Sequence, residues 1–180
     1  MLNITLTERN AVMTFKEKKS LVSILVSTLL IIAYIIFTTL RYQEGHLPFD
    51  NYQLWAITLL AFGGIYIISY IVIHIIFYIV TSVSMAVKEQ IKTGKVNEID
   101  LEQKIKTEMN DDEMDKIISL KAQRVSSIVT SFIIFIGVVL IAFNLEIVLL
   151  INMILFGGFL GNIAEELTKI YYFKRGVSNV

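Results

Sequence analysis

Two groups of polar side chains in this sequence are placed where they could do chemistry. His74 lies about twenty residues into one long apolar segment, and Glu165 and Glu166 lie about as far into another. A histidine beside carboxylates can shuttle a proton or hold a cation, and ionisable groups inside a bilayer are costly. The candidate intramembrane polar site therefore consists of His74, Asn162, Glu165 and Glu166. The alternative is structural, because Glu165 and Lys169 are spaced for an ion pair on one helix and Asn162 can hydrogen bond between helices.

The second group is the acidic stretch NDDEMD at residues 110–115. Such a cluster could bind an ion, but no oxygen-rich calcium loop with its glycine is present. Asn110 is a favourable N-cap, and carboxylates in a first helical turn complement the helix dipole. We therefore predict the start of a helix. This polar helix is the largest feature outside the apolar segments, so Asp112, Glu113, Asp115 and Arg124 form the candidate surface for a protein partner.

The sequence lacks the motifs of several common enzyme classes. It has no cysteine, and it contains neither a zinc-protease histidine motif, a serine nucleophile motif nor a phosphate-binding glycine loop. Its two histidines, His46 and His74, fall on different sides of the predicted membrane. The formal net charge of zero gives no support for nucleic-acid binding. We predict a protein without enzymatic activity, metal or cofactor.

Hydropathy indicates which elements position these residues. The chain is 55% hydrophobic with a mean hydropathy of +0.67. Four segments contain no Asp, Glu, Lys or Arg, and each has about the 18 residues or more that a membrane helix needs: 20–40, 54–87, 125–145 and 147–164. We predict an all-α integral membrane four-helix bundle forming a single domain, with spans at about 20–40, 54–82, 125–143 and 147–168.

The second apolar segment is longer than a bilayer requires. At 1.5 Å per residue it would extend about 50 Å, against roughly 30 Å of hydrocarbon. It must tilt or project, and we favour projection because its end becomes steadily more polar. We expect a cytoplasmic helical segment at about 83–124, with a short amphipathic helix within residues 95–109.

The two halves of the chain resemble each other. Residues 14–37 and 119–143 both run from a basic start through small hydroxyl residues into an aliphatic span, and Phe-Gly-Gly occurs at 62–64 and at 156–158. This pattern indicates two duplicated helical hairpins; chance similarity between low-complexity segments is the alternative.

The basic residues predict the orientation. Of sixteen Lys and Arg residues, only Arg41 falls between the first and second spans. Because Lys and Arg favour the cytoplasmic side, we expect both termini and the central segment to be cytoplasmic.

Small residues form faces on two of the predicted spans. Ser20, Ser23 and Ser27 share one stripe, and Gly157 and Gly161 form a G-x-x-x-G. Such faces allow helices to approach closely. They would serve packing inside the bundle or, alternatively, a homodimer interface.

Several stretches together resemble a family of small, uncharacterised bacterial four-span membrane proteins. The resemblance is carried, in the same order, by MTFKEKKSLVSILVSTLLIIAYIIF (13–37), DEMDKIISLKAQR (112–124), INMILFGGFLGNIAEELTKI (151–170) and YFKRG (172–176). Members of that family begin with Phe-x-Glu-Lys, carry Asp-Glu-Arg-Asp before the third span and end in Tyr-Arg-Arg-Gly. Here Met114 replaces the arginine, and Phe173 and Lys174 replace Tyr-Arg. Met13 matches the usual start of the family, so we expect residues 1–12 to be an extension.

The resemblance implies a location in the bacterial cytoplasmic membrane and a regulatory partner, since such proteins are often encoded beside a small helix-turn-helix regulator. We therefore favour an accessory or regulatory protein that binds a partner on its cytoplasmic face. One alternative is a small transporter or channel for an ion or proton. Another is a lipid- or hydrophobe-binding or toxin-immunity protein that uses a groove along Tyr66, Tyr70 and His74.

Overall fold

A computed structural model describes residues 13–93 and 112–175 of this chain. Within these ranges the protein is all α-helical and contains no strand; its helices are α1 (Phe15–Gln43), α2 (Tyr52–Thr93), α3 (Glu113–Ala142) and α4 (Ile147–Arg175). All four are long and apolar enough to cross a membrane. The predicted all-α, multi-pass membrane bundle is confirmed. The amphipathic helix predicted within residues 95–109 lies outside the described residues.

α1 and α3 begin with the same device, a reciprocal pair of hydrogen bonds called a capping box. The Glu17 N–H donates to Thr14 Oγ1 (3.3 Å) and the Thr14 N–H to Glu17 Oε2 (3.1 Å). In α3 the Asp115 N–H donates to Asp112 Oδ1 (2.7 Å) and the Asp112 N–H to Asp115 Oδ2 (2.9 Å). Each box satisfies N–H groups that would otherwise lack a partner. The acidic stretch does start a helix, but its cap is Asp112, whereas Asn110 lies outside the described residues.

α4 is the central helix of the bundle. It packs most extensively on α3, then on α1, and it also contacts α2. α2 touches α1 and α4 only lightly. The backbones of α1 and α3 do not approach each other among the described residues, but side chains near their starts meet. α3 and α4 are joined by a short turn, in which Asn144 adopts φ 61°, a left-handed conformation that asparagine tolerates.

The glycine face of α4 is occupied by α3. A Cβ added at Gly161 would overlap Thr130 Oγ1 and lie 3.1 Å from the backbone oxygen of Ser126. A Cβ at Gly157 would lie 3.3 Å from the backbone oxygen of Thr130, whose hydroxyl donates to the Gly157 carbonyl (3.0 Å). The G-x-x-x-G therefore serves packing inside the bundle, as in the first of its two predicted uses.

The two ends of the bundle differ in charge. We call the end where α1 and α3 begin and α2 and α4 finish the basic end, because it carries the lysines of α1 and the bases of α3 and α4; the opposite end is the hairpin end. At the basic end Phe15, the first residue of α1, stacks on Phe77 of α2 with ring centroids 5.4 Å apart. α2 continues past this contact from Tyr78 to Thr93, about 24 Å at 1.5 Å per residue. The end of α2 therefore extends beyond the start of α1.

Candidate functional site

All four helices contribute side chains to a polar cavity at the basic end. Its volume is about 130 Å³, enough for several water molecules. We call it the ionic chamber, and its lining residues are Lys16, Lys19, Ser20, Tyr70, His74, Asp115, Ser119, Glu166, Lys169 and Phe173. The chamber unites residues that the sequence analysis placed in two separate groups, His74 and Glu166 in one and Asp115 in the other.

One ion pair in the chamber links α1 to α3. Lys16 Nζ donates to Asp115 Oδ2, and the lysine side chain is 24% exposed and the aspartate side chain 10%. Asp115 thus accepts both from this ammonium and from the backbone of Asp112. A buried carboxylate in such contacts cannot meet a protein partner, so Asp115 does not belong to the predicted partner surface. Asp112, Glu113 and Arg124 are exposed and remain candidates.

A second ionic cluster lies on α4. Lys169 Nζ contacts Glu165 Oε1 at 2.8 Å and Glu166 Oε1 at 2.9 Å. The Glu165–Lys169 ion pair expected from their spacing is therefore confirmed. Glu166 is only 4% exposed, and a carboxylate this buried requires such a charged partner. Of the two glutamates, Glu166 lines the chamber and Glu165 does not.

His74 is the least satisfied polar group in the described part of the chain. Both of its ring nitrogens are shielded from solvent and have no hydrogen-bond partner among the described residues. Its ring packs edge-on against Tyr70, with centroids 4.1 Å apart. Native proteins usually pair buried polar atoms, and an exception often marks a place where water, an ion or a ligand binds.

Asn162 has a structural role on the side of the chamber that faces the hairpin end. Its Oδ1 accepts hydrogen bonds from Ser23 Oγ (3.3 Å) and Ser27 Oγ (3.0 Å), and both serines are fully buried. These bonds join α1 to α4, as polar residues commonly do between membrane helices. Farther along the same interface the Tyr34 hydroxyl donates to Asn152 Oδ1 (2.7 Å). Asn162 is thus the predicted interhelical hydrogen-bonding residue rather than part of the chamber lining.

An apolar layer closes the bundle toward the hairpin end. Tyr34 meets the rings of Phe62 and Phe156 edge-on, at centroid distances of 5.1 Å and 5.9 Å, and packs with buried Leu155 and Phe159. Beyond this layer lies a second apolar cluster of Leu47, Trp55 and Val148. The chamber can therefore receive a polar group that enters at the basic end. Packed apolar side chains separate the chamber from the hairpin end.

Sequence reasoning found part of this site. It grouped His74 with Glu166 in one candidate site and with Tyr70 in a candidate groove, but it missed Ser119 and Phe173 as lining residues. Within residues 13–93 and 112–175, no group of three or more His, Cys, Asp or Glu side chains could hold a metal ion. The chemistry that the chamber offers is ionic and hydrogen-bonding recognition. No family model, curated protein or solved structure matches this chain.

Proposed function

We propose that this chain is a non-enzymatic regulatory protein of the bacterial cytoplasmic membrane that binds a helical protein partner on the cytoplasmic side. The basic end faces the cytoplasm in this proposal, because nearly all of the lysines and arginines belong to that side. Both termini, the start of α3 and the projecting end of α2 then lie where a cytoplasmic partner can reach them.

The observation that carries this proposal is an uncovered apolar stripe on α2. Its members follow one another at intervals of four, three, four and four residues and are 48–79% exposed: Ile76, Val80, Val83, Val87 and Ile91. This spacing is typical of the seam through which one helix packs on another in a coiled coil. We call these five residues the α2 seam.

Lipid does not account for most of the α2 seam. The lysines at the start of α1 mark the edge of the hydrocarbon, and Phe77 is level with that start. Val83, Val87 and Ile91 follow farther along the projecting part of α2. An apolar helix surface outside the bilayer is a common mark of a protein interface.

The test is partner capture by the tagged full chain, purified from native membranes in mild detergent and analysed by mass spectrometry. We expect a stoichiometric protein partner, and we expect Val83→Glu/Val87→Glu to lose it. An unpaired charge buried in an apolar interface costs about 3 kcal/mol or more, so capture should fall about a hundredfold.

The matched control is Val83→Leu/Val87→Leu, which keeps both positions apolar and should retain the partner. Membrane insertion of both variants is checked by extraction and size exclusion; both residues are about half exposed, so the fold should tolerate the changes. If the glutamate variant captures the partner as well as the parent chain does, the α2 seam is not the binding surface.

Transport of an ion or proton is the second candidate, favoured by the titratable side chains that the four helices direct into one chamber. It predicts pH-dependent flux in liposomes that Glu166→Gln lowers about tenfold, equivalent to 1.4 kcal/mol. Glu113→Gln, a change at an exposed carboxylate, is the control and should leave flux unchanged. Vesicles that stay silent across several ions and pH values would reject transport.

A further inference from the structure

His74 lies where the loosely held helix α2 meets the rest of the bundle. Its ring lines the ionic chamber, and both ring nitrogens are shielded from solvent without a hydrogen-bond partner among the described residues. A neutral imidazole in this place forgoes two hydrogen bonds. An imidazolium would in addition bury a full charge, which is far more costly where no counter-ion is available. The docked position of α2 therefore suits the neutral form of His74.

The charged groups around His74 do not neutralise an imidazolium in the arrangement they adopt. Tyr70 of α2 itself is titratable, and five charged side chains from the other three helices line the chamber: Lys16 and Lys19 of α1, Asp115 of α3, and Glu166 and Lys169 of α4. Both carboxylates already pair with a lysine of this set. Three ammonium groups thus face two carboxylates among the described lining residues, and protonation of His74 would add to the positive surplus.

α2 is the helix that can move in response to such a charge. It touches α1 and α4 only lightly, whereas α4 packs extensively on α3 and is hydrogen bonded to α1. Near His74, Phe77 of α2 stacks on Phe15 of α1. Farther into the bundle, Tyr66 of α2 meets the ring of Phe159 edge-on, with centroids 4.9 Å apart. Ring packing of this kind stabilises less than the burial of an unpaired charge costs.

We propose that His74 is an acid sensor that controls the docking of α2. At neutral pH its uncharged ring stays in the chamber, and α2 lies against α1 and α4. When the aqueous phase at the basic end becomes acidic, the ring binds a proton as the contact opens and the imidazole reaches water. The protonated ring does not return to the positively charged chamber, so α2 stays released. Release repositions the projecting end of α2, whether or not a partner binds the α2 seam.

Proton linkage gives the size and the direction of the effect. A histidine that reaches water titrates near a pH of about 6.5. Because the released state binds this proton and the docked state does not, the released population rises roughly tenfold between pH 7.5 and pH 5.5. The stability of the docked state is therefore fully present above this range and is lost as the pH falls through it.

The experiment measures opening of the chamber with a single thiol. The chain contains no cysteine, and Ser20 is 3% exposed and lines the chamber. The rate at which a water-soluble maleimide alkylates Ser20→Cys is measured on the purified full chain in detergent at pH 7.5 and 5.5. Division by the rate for Lys18→Cys, at an exposed position, removes the pH dependence of the thiol itself. We expect this relative rate to rise roughly tenfold on acidification.

Ser23→Cys is the matched control for the place of opening. Ser23 is 1% exposed and lies on the same helix, but it contacts Asn162 of α4 and does not line the chamber. Its relative rate should not change with pH, because α1 and α4 stay together when α2 is released. An equal rise at Ser20→Cys and Ser23→Cys would show that acid loosens the whole bundle, and it would overturn the proposed sensor.

Replacement of each histidine identifies the group that binds the proton. His74→Phe, made in the Ser20→Cys chain, keeps an aromatic ring beside Tyr70 but cannot bind a proton, so the rise should disappear. His74→Gln, a smaller uncharged replacement, should behave in the same way. His46→Phe, at the exposed histidine of the hairpin end, should leave the rise intact. A rise that persists in both His74 variants, a rise lost in His46→Phe, or a relative rate that is equal at the two pH values would each reject the acid sensor.

Discussion

Replacing Gly161 with leucine should separate α3 from α4 and leave little folded protein. Even the first carbon of the new side chain would overlap Thr130 Oγ1 and lie 3.1 Å from the backbone oxygen of Ser126. The threonine hydroxyl can rotate away, but a backbone oxygen in the middle of a helix cannot. Because α3–α4 is the most extensive helix contact in the bundle, we expect a loss of about 3 kcal/mol or more.

The measurement is thermal unfolding in detergent, followed by circular dichroism, together with the monodisperse fraction on size exclusion. Gly158→Leu is the matched control, since no atom lies within 4 Å of a Cβ built at Gly158. It should unfold like the parent chain. A Gly161→Leu protein with the parent unfolding temperature would show that α3 and α4 are not packed as described.

The spans were predictable because hydropathy reports directly on the energy of placing a helix in a bilayer. Which helix occupies the centre was not predictable in the same way. All four helices are about as apolar as lipid, so burial against another helix brings little hydrophobic gain. The arrangement depends instead on close contacts such as Gly161 against Ser126 and on single bonds such as Ser27 to Asn162. The sequence indicated the small residues but not their partners.

Only part of the candidate site could be predicted, because depth within a span can be counted from the sequence but contacts between helices cannot. His74 and Glu166 could be placed at one depth because each lies a known number of residues into its span. Asp115 was assigned to an outer surface, since nothing local indicates that it meets Lys16, 99 residues earlier. The spacing of Asp112 and Asp115 fits a capping box, and that signal could have placed the helix start correctly. The duplication, the cytoplasmic orientation and the family resemblance stay predictions.

Reversing the charge of Asp115 should have the other large effect on stability. Asp115→Lys would place two ammonium groups together in the chamber, near Lys19, and would remove the acceptor for the Asp112 N–H. Breaking a buried ion pair by changing one partner typically costs about 3–5 kcal/mol. Lys16→Asp should also destabilise the chain, because it sets two carboxylates against each other. Thermal unfolding of each variant in detergent measures both losses.

The double variant Lys16→Asp/Asp115→Lys distinguishes the ion pair from the helix cap. It restores opposite charges between α1 and α3, so most of the loss should be recovered. The free energy of unfolding of the double variant should remain about 1 kcal/mol below that of the parent chain, the typical value of a helix cap. The reason is that a lysine at position 115 cannot accept from the Asp112 N–H. Lys18→Asp, a reversal at an exposed neighbour, is the control and should change stability little. A double variant whose loss equals the sum of the two single losses would mean that Lys16 and Asp115 do not interact energetically.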